Sequence, residues 1–165
     1  MNSPGFEFPE DCDPSILQLY QYWLEKKNNR ICPSRADIDQ LDIPRLFPNM
    51  TLINVLPEPP RFVFRLVGTQ VVWMFKDDAT GQEVGLGLKP SERDEVIGRH
   101  AFVADNCCSV FHRRRLQREK NDYTMVERLM LPLSSNGSDV DMIMVLVMRV
   151  AEGLSEIQIS QSGRG

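Results

Sequence analysis

Apolar residues recur at helical spacing soon after the chain begins. Ile16, Leu17, Tyr20, Trp23 and Leu24 stand at i, i+1, i+4, i+7 and i+8, which gathers them into one stripe on an α-helix. Asp13 is suited to cap that helix, Pro14 to its first position, and Asn28-Asn29 to its end. From Ile31 to Asn49 the pattern is broken by Pro33, Pro44 and Pro48. That stretch still carries Ile38, Leu41, Ile43, Leu46 and Phe47, too much apolar surface for a free linker, and it reads as an ordered crossover.

The spacing then changes to strand-like. Met50–Leu56 and Arg61–Val67 flank the turn Pro57-Glu58-Pro59-Pro60 and predict an antiparallel hairpin. In the second strand, alternation puts Phe62, Phe64 and Leu66 on one face and Arg61, Val63 and Arg65 on the other. Gly68 ends the strand, Thr69–Phe75 reads as a short helix, and Lys76–Gly87 as a polar loop. Ser91, with Asp94 three residues on, is suited to cap a helix running to about Cys107, whose apolar face (Val96, Ile97, Phe102, Val103) is broken.

The last third is the clearest. Val110–Glu119 is a basic alternating strand, and Thr124–Ser134 sets Leu129, Leu131 and Leu133 on one face. Asn136-Gly137 marks a tight turn, and Val140–Val150 follows. This final strand is apolar on both faces, with Met142, Met144, Leu146 and Met148 on one and Ile143, Val145 and Val147 on the other, so it needs cover on both. The N-terminal helix is the natural cover for the second face. The expectation is an α+β domain: a five-stranded antiparallel sheet with helices on one face and an extra N-terminal amphipathic helix. The chain divides into a flexible arm (1–12), the N-terminal helix and crossover (13–49), the core (50–150) and a flexible tail (151–165).

Composition narrows the possibilities. Nineteen basic against 23 acidic residues give a net charge of −4, with no overall field to draw the chain to nucleic acid or anionic lipid. No apolar run approaches the roughly 20 residues that span a bilayer, and the first residues lack the basic and apolar regions of a signal peptide. Reduced cysteines and a cytoplasmic location are therefore expected.

The remaining side chains offer no catalytic constellation. Cys12, Cys32, Cys107 and Cys108 form no CxxC, and His100, Cys107, Cys108 and His112 fit no zinc spacing, so they read as surface histidines and small buried thiols. No serine elbow and no phosphate-cradling glycine loop is present, and no enzyme activity is expected. The basic run His112-Arg113-Arg114-Arg115 reads as a solvated sheet edge guarded against pairing, the alternative being a patch for an acidic partner or nucleic acid, which no aromatic interleaving supports.

Several segments carry a family resemblance: Tyr22-Trp23, Pro33-Ser34-Arg35-Ala36-Asp37, Asp42-Ile43-Pro44, Arg61-Phe62-Val63-Phe64-Arg65-Leu66-Val67-Gly68-Thr69, Thr80-Gly81 and Leu131-Pro132-Leu133-Ser134. Together they resemble a bacterial PAS subfamily of short stand-alone proteins, over roughly residues 16 to 148. The resemblance implies a sheet facing a helical wall across a small ligand cavity, and dimerisation, often through an N-terminal helix. Neither Cys107 nor Cys108 stands in the polar motif that flavin photoreceptors of this fold carry, and no cofactor is expected.

Phe62, Phe64, Leu66, Trp73, Phe75, Phe102, Leu129 and Leu131 are the candidates to line a pocket for a small apolar ligand, with a fully packed core as the competing reading. Ile16, Leu17, Tyr20, Trp23 and Leu24, with Ile143, Val145 and Val147, are the candidates for a homodimer interface. The functional expectation is a sensory or regulatory module whose output passes to a separate signalling protein. A ligand-free dimerisation or adaptor protein is the alternative.

Overall fold

The computed structural model describes residues 6–162; the ends of the predicted arm and tail, 1–5 and 163–165, lie outside the described residues. Helix α1 (Pro14–Lys27) begins as the sequence predicts. The Asp13 carboxylate accepts from the Ser15 N–H at 2.8 Å, and Pro14 occupies the first turn. Asn28, at φ 53°, ends it. The buried stripe is Ile16, Leu19, Tyr20 and Trp23, while Leu17 is 43% exposed and Leu24 half-buried. At about 100° per residue, Leu19 lies only about 60° from Ile16 around the helix whereas Leu17 lies about 100° away on the other side. The i+3 position therefore wins over i+1.

Strands β1 (Met50–Val55) and β2 (Phe62–Val67) form the expected hairpin. Helices α2 (Thr69–Phe75) and α3 (Pro90–Asn106) follow, and then β3 (Cys108–Glu119), β4 (Asp122–Leu133), β5 (Met142–Val150) and β6 (Ile157–Ser162). The sheet has six antiparallel strands in the order β2-β1-β5-β4-β3-β6. The expected five are corrected to six, because Ile157–Ser162 pairs along β3 with its isoleucines alternating inward.

Three local features depart from the sequence expectation. α3 is entered through Lys89 and Pro90 rather than capped by Ser91, since proline pre-sets the first-turn geometry. Asn136-Gly137 sits inside a longer connection, where the Asn136 side-chain oxygen accepts from the N–H groups of Ser138 and Asp139 at 2.9 and 2.8 Å. The register of β1 against β2 slips between Leu52 and Ile53, leaving Arg65 as an extra residue. That bulge puts Phe62 and Phe64 opposite Val55 and Ile53 but turns Leu66 to the other face, opposite Leu52.

The sheet is covered on both sides. Register partners in an antiparallel sheet share a face, so Phe111, Glu127, Leu129, Leu131, Met144, Leu146 and Leu52 belong to one face. α1 and the preceding chain cover that face. Phe8 meets Phe111 edge-on at 5.6 Å, Tyr20 meets Phe8 at 5.2 Å, and the Trp23 indole donates to the Pro132 carbonyl at 3.0 Å. Arg113 and Glu127 form a buried ion pair on the same face. The Glu127 carboxylate accepts from Arg113 Nε at 2.9 Å and from the Asp13 N–H at 2.9 Å, while Arg113 also reaches Asp11 at 2.7 Å.

The opposite face carries Val110, His112, Arg128, Met130, Ile143, Val145, Val147, Ile53, Phe62 and Phe64 beneath α2 and α3. The outer edge of β2 is closed by residues 81–84, with Gly81 and Val84 donating to the Phe64 and Phe62 carbonyls. No helix among the described residues is long and apolar enough to cross a membrane.

Candidate functional site: the face beneath α3

α3 presents three stripes, each at helical spacing. Val96, His100 and Val103 turn toward the sheet, and His100 and Val103 are buried there. Asp94 and Ile97 line one flank, and Glu95, Gly98, Arg99 and Phe102 line the other. Two open grooves therefore run beside α3. The first, of about 480 Å³, has Phe62, Val84 and Ile97 in its lining and charged pairs at its rim: Arg61 with Asp105 at 2.5 Å and Arg93 with Glu83 at 3.2 Å. The Phe62 ring, 1% exposed, meets the His100 ring at 5.5 Å, so this groove touches both β2 and α3. The second, of about 320 Å³, lies between α3 and the β3–β6 edge.

The second groove is polar and cationic. Glu95 pairs with Arg99 at 2.9 Å and also with Arg114, so one carboxylate serves two guanidinium groups. Arg99 also donates from Nε to Gln158 Oε1 at 3.2 Å. Burial and then the charge of Arg114 hold the Arg99 guanidinium below its usual pKa, with Glu95 offsetting only part. Arg128 has no carboxylate partner among the described residues; it lies over the Phe75 ring at 5.5 Å, and burial followed by the charge of Arg99 brings it down to about 10.

Both histidines are buried, which corrects the surface reading. The His100 Nδ1–H donates to the Val96 carbonyl at 2.8 Å, which sets the tautomer of the ring. Burial, opposed by that bond and reinforced by Arg99 and Arg128, lowers His100 to about 4. His112 stands between Arg128 on β4 and Gln158 on β6, and its Nδ1 has no hydrogen-bond partner. Burial first, then Arg128, Arg99 and Arg114, lowers it to about 2. The four cysteines are buried thiols, and Cys32 and Cys107 share a side-chain hydrogen bond. Among the described residues, no three histidine, cysteine or carboxylate side chains group to hold a metal ion.

The basic run is not an edge. β6 pairs outside β3, Arg113 is buried against Glu127, Arg114 meets Glu95, and Arg115 lies over the Tyr123 ring at 4.1 Å. The missed signal was the alternation Ile157-Gln158-Ile159, which supplies the strand that covers it.

The predicted pocket residues divide. Phe62 and Phe64 lie on the sheet face that α3 covers, Phe62 in the first groove, and Phe102, 43% exposed, lines the second. Trp73 and Phe75 are exposed on α2, and Leu66, Leu129 and Leu131 lie on the α1 face. The predicted interface divides as well. Ile16, Tyr20 and Trp23 are buried within the protomer, Leu17 and Leu24 lie beside that stripe, and Ile143, Val145 and Val147 are buried on the α3 face. The two faces of β4 and β5 are thus inverted relative to the sequence expectation. Both are apolar, and only the strand register distinguishes which helix each one meets.

A PAS domain family model matches residues 12–147. No curated protein sequence matches the chain. Among solved structures, the crystal structure of a Rhodobacter sphaeroides LOV protein is similar at 12% identity and a TM-score of 0.50, covering 70% of each chain. A substituted form of RsLOV is similar at 14% identity and a TM-score of 0.47, covering 72% of this chain and 73% of that one. At these identities the likeness is one of fold alone.

Proposed function

The chain belongs to the PAS-domain family, and from that premise we propose that it is a sensory or regulatory module that binds a small apolar ligand in the groove beside α3. The observation that carries this reading is the lining of that groove. Phe62, Val84 and Ile97 give it apolar surface, and Phe62 also touches His100 on the inward stripe of α3. An occupant there would bear on strand and helix together, and its differential contacts would bias how α3 lies on the sheet. A volume of about 480 Å³ is in the range of small-molecule sites.

The role is one of binding rather than catalysis, and no resident cofactor is part of it. Its setting is the cytoplasm, in keeping with four buried cysteines in the reduced form. Output passes through a second copy of the chain or a separate signalling protein. A specific observation favours the ligand-free adaptor as second reading: Trp73, 66% exposed, and Phe75, 39% exposed, leave apolar surface on α2.

Native mass spectrometry of freshly purified protein, with ¹H–¹⁵N spectra recorded against a library of small apolar fragments, separates the two. The sensor reading expects a retained mass or fragment-induced shifts at Phe62, Val84 and Ile97, abolished by Ile97→Trp, which fills the groove. Absence of both in the wild-type protein would leave the adaptor reading standing.

A further inference from the structure

A second site lies across α3 from the apolar groove and is chemically different. We propose that the groove between α3 and the β3–β6 edge binds a small organic carboxylate, whose anionic group takes the place of Glu95 on Arg99 and Arg114. The apolar part of that ligand lies along Gly98 and Phe102. The Glu95 side chain is itself the observation that fixes the chemistry: a carboxylate already sits between the two guanidinium groups, 2.9 Å from Arg99 and in contact with Arg114. Planar guanidinium forks match a carboxylate geometrically as well as by charge.

The resident carboxylate is replaceable because it is only loosely committed. The Glu95 side chain is 48% exposed, so swinging into water removes little hydrogen bonding that water does not restore. Arg99, by contrast, is 10% exposed at its side chain and held by Gln158, so the recipient is more firmly placed than the occupant. Local charge is unbalanced in the same sense. Three guanidinium groups (Arg99, Arg114 and Arg128) stand on or under this flank against one carboxylate, and the buried His112 ring behind them keeps an unpartnered nitrogen.

The shape accounts for the apolar part. A side chain at Gly98 would project into open space, whereas glycine leaves that wall flat, and Phe102 supplies an exposed ring one turn on. A volume of about 320 Å³ is at the small end of ligand sites and suits a single ring or a short chain.

The probes are sodium benzoate, neutral benzamide and inorganic phosphate, each titrated into the full ¹⁵N-labelled chain to about 20 mM, a range that captures the weak binding of so small a molecule. Benzoate is expected to shift the Gly98, Phe102 and Gln158 amides and the Arg99 Nε–H, with benzamide and phosphate at least about tenfold weaker. Arg114→Gln weakens benzoate about tenfold, whereas Glu95→Gln tightens it several-fold by removing the internal competitor. Because Glu95 and Arg114 are substantially exposed, these variants keep the test open should Arg99→Gln fail to fold. Equal binding of benzamide, preferential binding of phosphate, weakening by Glu95→Gln, or no benzoate shift in the wild type would each overturn the proposal. Fragments that shift Phe62 and Ile97 but not this groove would do so while leaving the apolar site intact.

Discussion

Removing one member of the Arg113–Glu127 pair should be among the most damaging substitutions available in this sheet. Both side chains are almost fully enclosed, Glu127 at 0% and Arg113 at 3% exposure, and they are direct register partners on β4 and β3. Glu127→Leu would leave the Arg113 guanidinium with Asp11, which is half in solvent, and with the Ser155 carbonyl at 3.3 Å; the Asp13 N–H would lose its acceptor. Arg113→Met would leave a buried carboxylate with only that N–H. Breaking a buried pair from one side costs about 3–5 kcal/mol, a large share of the roughly 5–15 kcal/mol that a domain has. Since Asp11 remains, Glu127→Leu should cost about 3 kcal/mol and Arg113→Met about 5 kcal/mol. The double variant replaces two charges by two apolar side chains and should cost only about 1–2 kcal/mol, giving a coupling of several kcal/mol. Urea unfolding at pH 7, followed by tryptophan fluorescence, measures all four corners of the cycle, Trp23 being a reporter on the buried face of α1. Single losses below about 1 kcal/mol, or a double variant as unstable as the sum of the singles, would show that the charges are solvated and would refute the reasoning.

Three further outcomes follow from the packing. Both histidines are buried neutral, at about 4 for His100 and about 2 for His112, against about 6.5 in the unfolded chain. Below pH 6.5 the unfolded chain binds more protons, so stability falls with pH, by about 2 kcal/mol per histidine at pH 5; the His100 contribution levels off near pH 4. His112→Asn should flatten the change in urea stability between pH 7 and pH 5 by about 2 kcal/mol, and an unchanged slope would contradict its burial. A Cβ on Gly68 would stand 2.8 Å from the Met50 carbonyl oxygen and closer to that of Pro48, so Gly68→Ala should cost about 3 kcal/mol and lower the thermal midpoint by about 6 °C or more. Trp23→Phe removes the indole donor to the Pro132 carbonyl and should cost about 2 kcal/mol in urea unfolding followed by far-ultraviolet circular dichroism; an unaltered midpoint would mean that the bond adds nothing.

The residues that announced themselves were those whose local chemistry agrees with their tertiary setting. Asp13 and Pro14 begin a helix wherever they stand together, and the alternation in β4 and β5 needs no distant information. What was illegible depends on partners far along the chain. The slip at Arg65 sends Leu66 away from Phe64, although simple alternation joins them. His112 and Arg113 look like a solvated edge until β6 lies outside them and Glu127 stands opposite. The grooves belong to this second class as well. Glu95, Gly98, Arg99 and Phe102 have regular i, i+3, i+4, i+7 spacing, but they are polar, small and aromatic by turns, so a search for apolar stripes passes over them.

The N-terminal helix has an implication for how movement could leave this module. Lifting α1 would bring Phe111, Leu129, Leu131 and Leu146 into water at once, a continuous sticky plane rather than a freed arm. The helix is therefore a roof, and a roof can be exchanged more cheaply than removed. Any output that displaces it must supply a substitute in the same event: the equivalent helix of another copy, traded reciprocally, or an apolar helix from a partner.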